Sequence, residues 1–314
     1  MSAFPIIAVD IGNARIKLGL FAPCCADGLP EPARTLPLDG DLPELNQIVA
    51  WLEASASSKK RVPAGKAHPL QRVGFLERQE LPGRDTGSET LRACEHAPCG
   101  WWIASVNRPA ATRLIDWLRD HRPGDRVTLL AAGDLPLEVR LERPDMVGID
   151  RLVDAVAVNR LRRPERPAVI VDVGTAITVD LVSADGAFLG GAILPGLQMS
   201  ARAMHEFTDL LPLVDVSDLA VPPPALGTAT VPAMESGLFW GAVGAIRQLI
   251  EQDQAATPID VFLTGGAGVA VAELLGPNVR YEPNLTLAGI VLTATRGITP
   301  LSPQPPPKGR GRTK

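Results

Sequence analysis

Hydrophobic residues in this chain gather in short runs, and two of those runs end in the same polar signature. Ile6, Ile7, Ala8 and Val9 lead into Asp10, Ile11, Gly12 and Asn13, and Arg15 to Leu20 resume beyond the turn. Val169 to Val171 lead into Asp172, Val173 and Gly174, and a run rich in β-branched residues follows from Ile177 to Val182. Short apolar runs bounded by glycine predict buried strands, so each copy reads as strand, tight turn, strand. The turn has a chemical reading. Glycine lets backbone approach an anion, the aspartate at the strand end can hold a cation, and Thr175 offers a hydroxyl and an N–H. An ordinary β-hairpin explains either turn taken alone. Recurrence of the pattern after roughly half the chain predicts two related domains that share a nucleotide across a cleft.

The remaining pattern fills in around those turns. Leu45, Ile48, Val49 and Leu52 fall at helical spacing and predict a short helix over Leu42 to Leu52. From Ser55 to about Gly100 no period survives, which predicts a solvated loop, basic at Lys59, Lys60, Arg61 and Lys66, with one strand around Val73 to Leu76. Strands follow at Trp101 to Val106 and Val127 to Ala131, with a helix over Ala110 to His121 between them. After Gly148, the residues Ile149, Leu152, Val153 and Val156 form an apolar helical stripe that leaves Asp150, Arg151 and Asp154 off it. Ala187 to Ile193 is a strand, and Pro195 is expected to open a helix through about Phe207. A proline-rich loop covers Asp215 to Leu226, and Thr230 is expected to cap a helix from Ala233 to about Gln252. Its Gly237, Gly241 and Gly244 permit close packing and a dimer contact. A strand over Ile259 to Leu263, a glycine turn at Thr264 to Gly268, a helix to Leu275 and a last helix over Leu285 to Thr295 complete the pattern.

Such alternation predicts mixed sheets covered by helices. The expected division is a first domain over 1–147 with a loop insertion at about 55–100, a second over 148–299, and a disordered basic tail over 300–314. A length of 314 residues, more than one core usually organises, agrees with two domains, and an apolar fraction of 46% is enough to fill them. The net charge of −4 gives no bulk reason to expect a specific nucleic acid. No apolar run is long enough to span a membrane, and MSAFPIIAVD lacks a basic region followed by a cleavable apolar segment, so a cytoplasmic location is expected. Cys24, Cys25, Cys94 and Cys99 make no disulfide framework, and Cys94, His96 and Cys99 match no standard zinc spacing.

DIGN at Asp10 to Asn13, GIDR at Gly148 to Arg151, DVGTAITVD at Asp172 to Asp180 and GGAILPG at Gly190 to Gly196 stand together with TVPAMESG at Thr230 to Gly237 and TGG at Thr264 to Gly266. In order and spacing this set resembles type III pantothenate kinases, members of the superfamily of acetate and sugar kinases, Hsp70 and actin. The resemblance implies an α/β fold of two ribonuclease H-like, actin-like ATPase domains, with mixed sheets flanked by helices and an ATP cleft between the domains. It implies transfer of the ATP γ-phosphate to the 4′-hydroxyl of pantothenate, the first step towards coenzyme A. Asp150 would be the general base, with Gly148, Ile149, Asp150 and Arg151 lining the pantothenate site and Arg151 able to meet pantothenate's carboxylate. Thr230 and the position of Leu141 would add to that site. Asp10, Ile11, Gly12, Asn13, Ala14, Arg15, Ile16, Lys17 and Thr175 would lie at the ATP phosphates. Asp172 would hold a monovalent cation, potassium or ammonium, with Mg²⁺ carried in on ATP. Family members are homodimers whose substrate site is completed across the interface.

Two positions depart from the family pattern. Ala14 stands where Thr or Ser is usual and removes a hydroxyl donor, and Leu141 stands where a tyrosine is expected. A sugar or carboxylate kinase fits the fold and the DxG turns equally, because fold does not fix substrate. A non-catalytic accessory protein on the same fold would not need Asp10, Asp150 and Asp172 around one cleft.

Overall fold

In the computed structural model, which describes residues 5–22, 28–39, 45–53, 98–216, 221–254 and 258–296, each repeated motif is a hairpin at the centre of a five-stranded sheet. β1 (Ile6–Ile11) pairs antiparallel with β2 (Arg15–Phe21), and β3 (Arg34–Asp39) extends that half. β4 (Gly100–Ser105) and β5 (Arg126–Leu129) extend the other half in parallel. The second sheet repeats the plan. β6 (Ala168–Val173), β7 (Ala176–Val182) and β8 (Phe188–Pro195) are antiparallel, while β9 (Asp260–Thr264) and β10 (Val279–Tyr281) run parallel to β6. The orders β3-β2-β1-β4-β5 and β8-β7-β6-β9-β10 correspond strand for strand, the paired ribonuclease H-like topology that the motifs implied.

Central strands are apolar on both faces because helices cover both. Ile7, Val9 and Ile11 of β1 face α1 (Asn46–Glu53) and α2 (Arg108–His121), while Ile6 and Ala8 face the opposite way. Asn107 caps α2 by accepting a hydrogen bond from the Ala110 N–H at 3.1 Å. In the second sheet, α5 (Thr230–Gln254) and α6 (Gly268–Leu275) cover the outer face, and α4 (Leu197–Glu206) packs against α5. Two helices, α3 (Ile149–Leu161) and α7 (Leu285–Thr295), lie between the sheets. Their shared core takes Ile6, Ala8 and Ala104 from the first sheet and Ile170, Phe188 and Phe262 from the second.

Several elements differ from expectation. β3 was not predicted, because Pro37 interrupts it and only Leu38 is deeply buried, a combination an edge strand tolerates. β10 has three residues, too short for a periodic signal. Pro195 ends β8 instead of opening α4, whose N-cap is Gly196. Thr230 is the first residue of α5 and not a cap ahead of it. The predicted strand at Val73 to Leu76, nearly all of the 55–100 loop, Cys24, Cys25, Cys94, His96 and the tail from 300 lie outside the described residues. Among the described residues no helix is long and apolar enough to cross a membrane.

α3 and α7 pass close to each other, and a methyl group added at Gly289 would collide with the Val153 carbonyl oxygen. Replacing a helical glycine by alanine ordinarily stabilises by about 1 kcal/mol. Here Gly289→Ala is expected to reverse that sign and destabilise by about 1–3 kcal/mol, because two backbones must separate. Urea unfolding measures it, and unchanged stability would mean that the crossing is loose.

Candidate active site

Asp10 is the penultimate residue of β1 and pairs in register with Lys17, and Asp172 is the penultimate residue of β6, in register with Thr178 and Thr264. Asp150 stands in the first turn of α3. Its Oδ1 accepts from the Arg151 N–H at 2.8 Å, and Gly148 leaves room for it, since a side chain there would strike that oxygen. The two sheets thus deliver Asp10 and Asp172 to a helix start that carries Asp150, and all three feel one another's charge.

The glycine turns close around them. Gly12 N–H donates to the Arg15 carbonyl at 2.9 Å and Gly174 N–H to the Ala176 carbonyl at 3.0 Å, which closes two tight turns, the second one residue shorter than the first. Ile11 and Ile16 are buried in the core, so only their backbone can meet a ligand; Asn13, Ala14, Arg15 and Thr175 are exposed. Gly196 N–H donates to the Thr175 carbonyl at 3.1 Å, and any side chain at Gly196 would collide with that turn. Gly265, at φ +92°, backs onto Asp172, because a methyl there would sit 2.5 Å from Asp172 Oδ1. The Tyr281 hydroxyl fixes this turn by donating to the Gly265 carbonyl at 3.1 Å.

Cations reach across from the first sheet. Lys17 Nζ donates to the Pro283 carbonyl at 2.7 Å, just before α7, and Arg15 passes over Gly266. Arg151 is engaged by a partner that sequence reasoning did not assign: its Nε lies 3.0 and 3.1 Å from the two oxygens of Asp180, its Nη2 also bonds Oδ1, and its guanidinium lies over the Phe188 ring. Leu141 is half-buried and packs against Gly190, and Thr230 is exposed at the head of α5.

Asp154, which the stripe reading left off the buried face, is 3% exposed. The cleft therefore collects Asp10, Asp150, Asp154, Asp172 and Asp180 against Lys17 and Arg151. Burial is the largest influence on each of the five carboxyls and raises its pKa. Asp10 is pushed up to about 7 by burial and then by Asp150 and Asp172, with Lys17 opposing. Asp172 also rises to about 7, through burial, Asp150 and Asp180. For Asp150 the Arg151 N–H opposes the rise, and for Asp180 the Arg151 side chain does. Burial lowers Lys17 while the carboxylates hold it up. Among the described residues no three His, Cys, Asp or Glu side chains gather closely enough to hold a metal ion by themselves. Carboxylate oxygens short of positive charge nevertheless suit hard cations that take their remaining ligands from phosphate and water.

Because the folded-state pKa of Asp10 lies above its unfolded value of 3.8, its contribution to stability is complete below pH 4 and is lost as pH rises towards 7. Asp10→Asn is therefore expected to gain stability relative to the parent across that window and level off above it, with a ceiling of about 4 kcal/mol. Urea unfolding of the ligand-free protein at pH 5 and pH 8 checks this. An advantage independent of pH would show that the carboxyl is not desolvated.

A family model described as type III pantothenate kinase matches residues 76–252, a stretch that contains GIDR, DVGTAITVD, GGAILPG and TVPAMESG. The type III pantothenate kinase of Paramagnetospirillum magneticum is 40% identical over 170 residues, which cover 54% of this chain and 64% of that protein. That of Rhodospirillum rubrum is 39% identical over 165 residues, 52% of this chain and 62% of its own. That of Acidiphilium cryptum is 34% identical over 201 residues, 63% of this chain and 74% of its own. The chain thus spans a little under two thirds of the length of the first two. With a model match over more than half of its residues, the chain belongs to the type III pantothenate kinase family.

Proposed function

We propose that the protein transfers the γ-phosphate of ATP to the 4′-hydroxyl of pantothenate. The supporting observation is the meeting of Asp10, Asp150 and Asp172 in one cleft walled by two glycine turns, in a chain of this family. In this reading the exposed Asn13, Ala14 and Thr175 receive the phosphates through backbone N–H groups, with the Thr175 hydroxyl adding a donor that Ala14 lacks. Lys17 supplies fixed positive charge beside Asp10.

Asp150 accepts the hydroxyl proton as the oxygen attacks. A carboxylate suffices because that hydroxyl turns acidic only as the transition state forms, and the bond from the Arg151 N–H holds the base in place. Burial above the usual carboxylate range makes Asp150 a stronger base than a solvated aspartate. Arg151, steadied by Asp180, stands beside it as the candidate for pantothenate's carboxylate. Asp172, with Asp10 close by, would hold the cations that arrive with the nucleotide, potassium or ammonium at Asp172 and Mg²⁺ with ATP. Bound there, they offset the repulsion among carboxylates and phosphates.

The same reading makes the protein a cytoplasmic homodimer. Ile193 on β8, Met199 on α4 and Val231 on α5 are exposed apolar residues, and α5 also leaves Gly237, Gly241 and Gly244 bare of close neighbours. A second copy of the chain is the expected cover, with Thr230 at its edge completing the pantothenate site. Sedimentation equilibrium is expected to give a two-chain mass, and a monomer at micromolar concentration would refute the assembly.

The activity is tested by ADP release with ATP, Mg²⁺ and pantothenate, in potassium against sodium buffer. Turnover is expected to require pantothenate, to rise with potassium, and to fall by roughly 100-fold or more in Asp150→Asn, the usual share of a general base. A folded, ATP-binding protein with no pantothenate-dependent turnover would overturn the reading.

A further inference from the structure

The short edge strand β10 runs into a segment, Tyr281 to Pro283, that reaches both walls of the cleft. Tyr281 lies in register with Leu263 of β9, and the Glu282 N–H donates to the Leu263 carbonyl at 2.8 Å, so the segment follows β9 to its end. There the Tyr281 hydroxyl donates to the Gly265 carbonyl at 3.1 Å. Two residues on, the Pro283 carbonyl receives the Lys17 ammonium at 2.7 Å. The glycine turn between β9 and α6 is shaped to this ring. A side chain at Gly268 would sit 2.8 Å from Tyr281 Cε2, so the ring lies against bare backbone there. On its other sides the turn meets the cleft. Gly265, at φ +92°, closes against Asp172 Oδ1 and the Val173 carbonyl, and Gly266 lies under the Arg15 guanidinium. Backbone ties of the turn, from Gly268 N–H to the Gly265 carbonyl at 3.2 Å and from Ala267 N–H to the Val173 carbonyl at 3.4 Å, are both longer than the bond from the phenol.

We infer that Tyr281 is a positioning residue for the nucleotide cleft: its hydroxyl and ring hold the turn from Thr264 to Gly268 where Gly265 backs Asp172 and Gly266 meets Arg15. The inference rests on the reading of this cleft as the nucleotide site. A carbonyl can only accept, so the phenol is the donor and must keep its proton. Burial and, after it, the charge of Asp172 raise its pKa above the ordinary value of 10.0, so the donor is present at any working pH. Tyr281 touches no reacting atom and acts through the turn. A turn that drifts from Asp172 leaves that carboxylate less fixed towards the cations and phosphates it is to meet, and a small displacement there is costly. The acceptor side, built on Asp150 and Arg151 at the head of α3, is held by separate bonds to Asp180 and to the Arg151 N–H. Loss of the phenol is therefore felt by the nucleotide and not by the acceptor.

The test compares Tyr281→Phe, which keeps the ring and loses the donor, with Gly268→Ala, whose methyl pushes the ring off the turn. In the ligand-free protein, amide hydrogen exchange over residues 264–268 is expected to quicken about fivefold in both variants, the loss of one hydrogen bond. Calorimetric titration with MgATP is expected to give a Kd about fivefold weaker in both, while the KM for pantothenate stays within about twofold of the parent. Parent-like exchange and MgATP affinity in Tyr281→Phe would overturn the inference. So would an equal loss for nucleotide and pantothenate, which a general loosening of the fold would produce. Gly268→Ala displaces the same ring without removing the hydroxyl and decides the matter if Tyr281→Phe fails to fold. A parent protein that binds MgATP without turning over pantothenate would refute the kinase reading alone, and the MgATP titrations of the variants would still decide this one. A parent that does not bind MgATP would overturn both.

Discussion

The cleft depends on two helix backbones that pass within contact of each other. Gly289 of α7 has no side chain because the Val153 carbonyl of α3 occupies the space, and the pair is enclosed by a sheet on either side. A helix enclosed this way has no polar face to spare. α7, LTLAGIVLTAT, carries no charged residue, and its buried Thr293 satisfies its hydroxyl on the Gly289 carbonyl at 2.9 Å. Apart from Asp154 within α3, charge gathers at the helix ends, and the starts of α3 and α7 carry or adjoin Asp150, Arg151, Lys17 and Pro283. The dipole of α3 favours carboxylates at that end over any other position along it.

Five carboxyls in one enclosed region are an expense that folding alone would not select. Arg151 neutralises Asp180 through several hydrogen bonds, and Lys17 offsets part of the rest. What remains, together with burial, pushes the pKa values of Asp10 and Asp172 up to about 7. Such a site is destabilising while empty and is relieved by incoming positive charge, so the same repulsion that weakens the fold becomes affinity for cations and for the phosphates they accompany.

Much of this was legible in the chain. The two DxG turns lie where their flanking apolar runs put them, and the Leu285 to Thr295 helix has the expected bounds, because both signals are local. The partners of charged residues were not legible. The stripe Ile149, Leu152, Val153, Val156 is buried as read, yet Asp154 is buried too, because sheets on both sides of α3 leave it no outer face. The Arg151–Asp180 pair joins residues 29 apart on a helix and a strand, and no period along either could announce it. A charged residue inside the β-branched run at Asp180 was the available clue, since a strand interior of that kind tolerates a carboxylate only with a partner.

The first hairpin is held from the opposite side of the cleft, and this bears on Ala14. Lys17 ends on Pro283 and Arg15 crosses to Gly266, so the strand that leaves the Gly12–Ala14 loop is anchored by segments of the second sheet's half of the chain. The loop's shape comes from those anchors and from the Gly12 to Arg15 backbone bond, none of which uses the side chain at position 14. Losing a hydroxyl there removes one donor to an anion and leaves the backbone donors aimed as before. A loop shaped from outside can lose a single contact without losing its geometry, which is why the alanine is compatible with a working phosphate turn while a change at Gly12 or Lys17 would not be.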